Sequence, residues 1–162
     1  MSIFLILVLA ILLIGCGKKS EKDTSKHTSL EGTWKVTERI FAVDGEIHQE
    51  LKYPSETELA GMKFVIQPYY QLNNNKAMYI EKQIIQYGDV EEESFVIKTY
   101  DCSVSGNTIT LIEEYNGDTF EEVYNYVING TSMTWTTEQN EHNTITYKLI
   151  KVPDSEVDGW DR

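Results

Sequence analysis

Residues 32–41 read GTWKVTERIF, and apolar and polar side chains alternate along this stretch. One parity carries Trp34, Val36, Glu38 and Ile40. The other parity carries Lys35, Thr37 and Arg39. Because successive side chains of a strand point to opposite faces, this period of two predicts a half-buried β-strand with its apolar face turned to a core.

The same period recurs in seven later segments, at 62–67, 77–87, 94–102, 107–115, 118–128, 131–138 and 143–152. The turns between several of them carry Gly106, Gly117 or Gly130 beside Asn, residues that accept the positive φ angles of tight hairpins. Turns this short require successive strands to pair antiparallel. We therefore predict an all-β fold, an eight-stranded antiparallel up-and-down barrel over residues 29–152.

Residues 43–61 form the longest connection between predicted strands. Ser55 and Glu58 have the spacing of a capping box and predict a short helix within it. Because long loops in compact domains are usually functional or mobile, we expect this one to lie over one mouth of the barrel.

The amino-terminal segment is apolar from Ile3 to Ile14 and stops at Gly15 and Cys16. It is too short to cross a bilayer as a helix and has the length of a signal-peptide core. Leu13-Ile14-Gly15-Cys16 resembles the lipobox of bacterial lipoproteins. The resemblance implies that a signal peptide, residues 1–15, is removed, and that Cys16 is acylated and anchored in membrane lipid. A buried helix or an uncleaved anchor is the alternative.

The polar residues 16–28 then read as the lipidated cysteine and a flexible tether. Membership of the lipoprotein family implies a place in the cell envelope. Gly17 follows the cysteine, where family members retained in the inner membrane tend to have Asp. The resemblance therefore favours the outer membrane, on its periplasmic or surface face, if the cell has one.

A second resemblance rests on Gly32-Thr33-Trp34, which heads the first of eight strands and precedes a long first loop. It resembles the Gly-x-Trp signature of the lipocalins. The segments LEGTWKVTE, SVSGNTITL, YVINGTSMTWT and ITYKLIKV resemble the lipocalin-like domains of bacterial lipoproteins. This resemblance implies that Gly32 and Trp34 close one end of the barrel, with Lys148 or Lys151 packed on the Trp ring, and that the ligand is small and apolar or amphipathic.

Alternation along the strands selects the candidate ligand-binding residues of the barrel interior: Val36, Glu38, Ile40, Phe64, Ile66, Leu111, Tyr124, Tyr126, Trp135 and Tyr147. Each of them can instead simply fill a core, although inward tyrosines need hydrogen-bond partners that a partly polar cavity supplies. The carboxylate of Glu38 is expected to lie in water at the open mouth of the barrel. The alternatives are that it pairs with Lys82 or that it orients the polar head of a ligand. Segments 77–87 and 94–102 are apolar on both parities, which a β-bulge would explain.

The formal net charge of −12 argues against nucleic acid as a partner, because phosphate backbones are bound by clustered Lys and Arg. No catalytic motif is present, so we predict neither an enzyme nor a cofactor. The pairs Glu113-Glu114 and Glu121-Glu122 face opposite sides of their strands and are expected to be solvated. Cys102, left without a partner once Cys16 is acylated, is expected to be a small buried apolar residue.

The last ten residues, 153–162, are acidic. Asp154-Ser155-Glu156-Val157-Asp158-Gly159 resembles the opening half of a calcium-binding EF-hand loop but lacks the bidentate Glu that completes it. We therefore predict no metal site and an acidic, disordered tail.

Two functions follow as hypotheses. The leading one is a membrane-anchored extracytoplasmic lipoprotein whose lipocalin-like barrel binds or carries a small apolar or amphipathic molecule. The alternative is an envelope interaction module with a solid barrel that binds a protein or glycan through residues 43–61, with Phe41 and Tyr53 as its candidate aromatic contacts.

Overall fold

The computed structural model describes residues 29–73 and 75–159 of the chain. Ten β-strands cover most of this part: β1 (Gly32–Val43), β2 (Glu46–Lys52), β3 (Ser55–Leu59), β4 (Met62–Asn73), β5 (Lys76–Tyr87), β6 (Val90–Ser105), β7 (Thr108–Tyr115), β8 (Asp118–Asn129), β9 (Ser132–Glu138) and β10 (Asn143–Val152). Each of the eight strands predicted from alternation coincides with one of these.

The strands form one antiparallel sheet in the order β2-β1-β10-β9-β8-β7-β6-β5-β4-β3, and a further pairing of β1 with β4 closes it. The closed ring therefore consists of β1 and β4 to β10. Neighbours in sequence are neighbours in the ring, because tight turns join them. The prediction of an eight-stranded antiparallel up-and-down barrel is confirmed.

Residues 43–61 do not form the expected loop with a short helix. They form β2, which pairs with β1 over Glu38 to Val43, and β3, which pairs with β4 over Met62 to Ile66. The predicted capping box of Ser55 and Glu58 lies in β3. The helix prediction is wrong because the backbone groups of these residues find partners on the neighbouring strands, and such tertiary pairing outweighs a local capping preference.

The barrel is complete at one end only. At its narrow end, where β1 begins, β1 pairs with β4 over Gly32 to Lys35, and β6 pairs with β7 from Asp101 to Ser105. The opposite end carries the turns at 44–45, 116–117 and 139–142. Towards that end β6 extends further than β7 and is no longer paired with it. There β1 and β4 pair instead with β2 and β3. The ring thus opens into two diverging sheets, and we call this the open end.

The core fills the narrow half of the barrel. Its buried members are Trp34, Val36, Tyr70, Leu72, Ala77, Cys102, Ile109, Leu111, Tyr124, Met133, Trp135 and Leu149. Trp34 is fully buried, and its indole Nε1 donates a hydrogen bond to the carbonyl oxygen of Leu30 at 2.7 Å. This contact folds the segment before β1 under the barrel.

The described part of the C-terminal segment packs on the outside of the barrel. A 3₁₀ turn, Asp154–Glu156, follows β10 and is followed by Val157, which is buried against Tyr69 and Ile80. Thr33 donates a hydrogen bond to Asp154 (2.6 Å), and Lys35 pairs with Glu156 (3.2 Å). The prediction of a disordered tail is therefore wrong for residues 153–159. Residues 160–162 lie outside the described residues.

This packing also explains the two-sided apolar pattern of segment 77–87. Ile80 faces outward and is fully buried, because Val157 covers it, while Ala77 on the other parity is buried inside the barrel. The pairing of β5 with β4 and with β6 runs without interruption from Lys76 to Tyr87. The β-bulge expected in these segments is thus absent from the described pairings of β5.

The predicted signal peptide, Cys16 and the tether, residues 1–28, lie outside the described residues. Among the residues that are described, no helix is long and apolar enough to cross a lipid bilayer.

Gly32 provides a test of how the narrow end is built. Its φ is +114°, and a Cβ added there would lie 3.1 Å from Cε of Lys151. We expect Gly32→Ala to lower the free energy of unfolding by about 2–3 kcal/mol, through backbone strain and overpacking together. The matched control is Gly130→Ala, which has φ +62° and open space around it, and should cost about 1 kcal/mol. Urea unfolding measures both, and equal losses would contradict the close approach of Lys151.

Candidate functional site

A cavity of about 740 Å³ occupies the open half of the barrel. It lies directly above the buried core and reaches the rim formed by the end of β9 and the start of β8. Its size is that of pockets that hold one small molecule. The lining side chains come from β1, β4, β5, β6, β8, β9 and β10, and from Tyr53 in the turn between β2 and β3.

Aromatic rings form the floor of the cavity. The ring of Tyr70 lies 4.7 Å from that of Trp135 and 6.4 Å from that of Tyr147, measured between centroids. Tyr124 lies 5.2 Å from Trp135 and 6.2 Å from Tyr147. These tilted and edge-on arrangements are the favourable ones for aromatic pairs. The floor is therefore closely packed.

The side chains of Glu81 and Glu122 line the cavity walls. Each has a tyrosine two residues away in sequence, on the same face of its strand. The hydroxyl of Tyr79 donates to Glu81 at 2.6 Å, and the hydroxyl of Tyr124 donates to Glu122. Burial raises the pKa of both tyrosines above the usual value of 10, and the hydrogen bond to the neighbouring carboxylate raises it further. Both hydroxyls thus remain protonated donors at neutral pH.

Arg39 is the cation of the cavity wall on β1. It lies opposite Tyr147 in the pairing of β1 with β10, and its Cζ is 6.0 Å from the centroid of that ring. Its Nε is buried without a hydrogen-bond partner. Burial raises the pKa of Tyr147, and the nearby guanidinium opposes that rise.

The inward position of Arg39 results from a β-bulge between Val36 and Glu38 in β1. An extra residue in one strand reverses the parity of everything beyond it. The prediction that Glu38 and Ile40 face the interior is therefore wrong. Both lie on the face opposite Arg39, and Glu38 accepts a hydrogen bond from Lys148 outside the barrel, with an Nζ–Oε2 distance of 2.6 Å. The suggested partner Lys82 pairs instead with Glu93.

The other predicted interior residues fall into three groups. Val36, Tyr124 and Tyr147 line the cavity. Leu111 and Trp135 are buried in the core beneath it, and Phe64 and Ile66 lie on the inward parity of β4, beyond the lining residues, towards the open end. Tyr126 lies at the narrow end, where its hydroxyl donates to the carbonyl oxygen of Gly106 at 3.0 Å.

A smaller cavity of about 390 Å³ opens at the narrow end beside Tyr126, Leu30 and Cys102. Burial raises the pKa of the Cys102 thiol, so this cysteine behaves as an apolar wall residue rather than a thiolate. Nearby, Nζ of Lys151 lies 5.3 Å from the centroid of the Trp34 ring and donates to the carbonyl oxygen of Ser29. Of the two lysines suggested for this contact, the structure places Lys151 there.

Sequence reasoning missed Arg39, Glu81 and Glu122. Glu122 is exposed, as expected for half of a solvated acidic pair, but its place in the cavity lining was not predicted. A signal for the two carboxylates exists in the sequence, because Tyr79 and Glu81, like Glu122 and Tyr124, are spaced i and i+2 and so share one strand face. No comparable signal reveals the β-bulge that turns Arg39 inward.

Comparison of the chain with protein-family models, with curated proteins and with solved structures finds no match. The residues of the site define a half-open cavity with an aromatic floor and charged walls, an arrangement suited to holding a molecule with both apolar and polar parts.

The outward pairing of Glu38 can be tested by titration. Its hydrogen bond from Lys148 holds the pKa of Glu38 below the ordinary value of 4.5. A carboxyl whose folded pKa is lowered stabilises the fold above its unfolded pKa, and that contribution is lost as the pH falls through the folded value. In Lys148→Met we expect the pKa of Glu38 to rise towards 4.5, as measured by NMR of its carboxyl carbon. Lys98→Met, which changes a cavity-lining lysine, is the control and should leave Glu38 unaffected; an unchanged Glu38 in Lys148→Met would contradict the pairing.

Proposed function

We propose that this chain is a membrane-anchored extracytoplasmic lipoprotein whose lipocalin-like barrel binds or carries a small amphipathic molecule. The observation that carries the proposal is the cavity of about 740 Å³ in the open half of the barrel. A barrel that served only as a scaffold would gain stability by filling this space with side chains.

The lining favours an amphipathic ligand over a wholly apolar one. Arg39, Glu81 and Glu122 line the walls, whereas aromatic rings form the floor. An apolar molecule that filled the cavity would strip water from these charges without replacing their hydrogen bonds, which is costly. A ligand that lays an apolar part on the rings and keeps a polar head among the charges avoids this cost.

The proposed anchor agrees with the geometry of the barrel. Ser29 and Leu30 lie at the narrow end, where they contact Lys151 and Trp34. The first described residues therefore lie at the end opposite the cavity mouth. An attachment through Cys16 and the proposed flexible tether would leave the mouth accessible, as a binding protein requires.

The alternative function, a solid interaction module that uses residues 43–61, has less support. Tyr53, one of its two suggested contacts, lines the cavity instead of forming an exposed aromatic cluster with Phe41. The charged side chains along β2 and β3, including Glu46, Glu50 and Glu58, are typical of edge strands that avoid pairing with other chains.

A cavity-filling variant tests ligand binding. Thr137 lines the cavity on β9, and Thr134 is exposed on the outer face of the same strand. We expect the full chain to bind a dansyl-labelled undecanoic acid, followed by its fluorescence, and Thr137→Trp to weaken the binding by about tenfold or more through loss of space. Thr134→Trp, the matched control, should bind as the wild type does. Equal binding by both variants, or no displaceable binding at all, would overturn the proposal.

The anchor is tested separately by Cys16→Ala. This variant removes the only thiol that the proposed acylation uses, so we expect the protein to remain unprocessed and to lose its radiolabelled palmitate. Cys102→Ala is the control and should be processed and labelled like the wild type. Normal processing and labelling of Cys16→Ala would contradict the lipoprotein assignment.

A further inference from the structure

Five charged side chains that line the cavity have no ion-pair partner at 4.0 Å or less within residues 29–73 and 75–159: Arg39, Glu81, Glu121, Glu122 and Glu138. Of these, Arg39, Glu81 and Glu122 lie on the inward parity of their strands. The lack of a partner is unusual for Arg39, because the chain contains 26 acidic residues and most of the described lysines are paired. The remaining charge of the lining, Lys98, is one of these paired lysines, with its Nζ 3.8 Å from Oε1 of Glu113.

The hydrogen bonds that these groups do make come from neutral partners. Glu81 accepts from the hydroxyl of Tyr79 and, at 2.7 Å, from the side-chain amide of Gln83. Glu122 accepts from the hydroxyl of Tyr124. Such bonds hold each carboxylate in a fixed direction but leave its charge uncompensated. The guanidinium of Arg39 lies over the ring of Tyr147, with its Nε buried and unpartnered.

The unpaired inward charges come from different strands: Arg39 from β1, Glu81 from β5 and Glu122 from β8. The paired cation Lys98, on β6, lies opposite Tyr79 of β5 and so on the same wall as Glu81. A ligand with only a positive charge would leave Arg39 without a counter-charge. A ligand with only a negative charge would leave Glu81 and Glu122 without one. Arg39 and Glu81 are only partly exposed, so their uncompensated charges are costlier than that of the exposed Glu122, and a ligand that brings both signs is the best match.

We propose that the ligand head is zwitterionic, with an anionic group at Arg39 and a cationic group between the carboxylates of Glu81 and Glu122. This inference rests on the proposed function, because it names the chemical class of the molecule that the cavity binds. Arginine binds carboxylates and phosphates through charge-assisted hydrogen bonds. The cationic group gains from the carboxylates and from the faces of the tyrosine rings.

The test uses three water-soluble probes with the same six-carbon tail: hexylphosphocholine, hexyl phosphate and hexyltrimethylammonium. The full chain is held in nanodiscs of phosphatidylglycerol, which present no choline to the site, and binding is measured by calorimetry against empty nanodiscs. We expect hexylphosphocholine to bind at least about tenfold more tightly than either singly charged probe, because it makes one more charge-assisted contact.

Variants that replace a charged side chain by a neutral one show which residue binds the anionic group of the ligand head and which binds the cationic group. Arg39→Gln should weaken hexylphosphocholine and hexyl phosphate by about tenfold and leave hexyltrimethylammonium unchanged or tighter. Glu122→Gln should weaken hexylphosphocholine and hexyltrimethylammonium instead. Lys148→Gln and Glu114→Gln, both on the outer face, are the matched controls and should change nothing. Circular dichroism of each variant verifies that the barrel is folded.

The outcomes separate the two proposals. If the three probes bind equally, or if Arg39→Gln and Glu122→Gln leave the preference unchanged, the zwitterionic head is overturned while the binding function stands. If hexyltrimethylammonium or hexyl phosphate binds most tightly, the ligand is singly charged and the inference is likewise wrong. If no probe binds and the dansyl-labelled acid does not bind either, both proposals fail together.

Discussion

Four residue pairs between β1 and β4, Gly32 to Lys35 with Tyr69 to Leu72, close the barrel. Immediately beyond them the side-chain amide of Gln67 donates to the carbonyl oxygen of Val36 at 2.8 Å, in place of a further backbone bond. The bulge in β1 follows at once. Because the ring closes over such a short length, its narrow half is tight enough for a dry core. The strands beyond that half are free to diverge, and the cavity is the space that their divergence leaves.

The cavity and the core share a boundary made of amphipathic side chains. Tyr70, Tyr124 and Tyr147 pack their rings around Trp135, and the hydroxyl of Tyr124 bonds to a carboxylate on the cavity wall. A tyrosine can take this position because one end of its side chain is apolar and the other is a hydrogen-bond donor. Phenylalanine in place of Tyr124 would pack as well but would leave Glu122 without this donor. The residues at this boundary therefore have two roles: their rings pack in the core, and the hydroxyl of Tyr124 orients a carboxylate of the cavity.

Alternation and turn residues predict the eight barrel strands, because both reflect local backbone geometry. Three features were not predicted. The bulge before Glu38 and the covering of Ile80 by Val157 depend on contacts between segments far apart in sequence. The pairing of residues 46–59 with β1 and β4 is instead local, through hairpins whose turns at Asp44-Gly45 and Ala60-Gly61 have positive φ angles, and the Asp-Gly turn is a hairpin signal that the sequence does carry. The bulge has the largest effect on the site, since a single extra residue exchanges the two faces of β1. Val36, before the bulge, lines the cavity as the alternation predicts, whereas Glu38 and Ile40, beyond it, do not.

The contacts of the C-terminal turn have a consequence for the order of assembly. Thr33 and Lys35, in the first strand, bond to Asp154 and Glu156, in both cases across 121 residues of chain. During synthesis β1 is made before the other described strands, yet its pairing with β10 and the cover of its outer face become possible only after residues 143–156 have been made. Contacts of such long sequence separation slow folding. The barrel is therefore completed by its last segment, and until then the first strand remains an open edge.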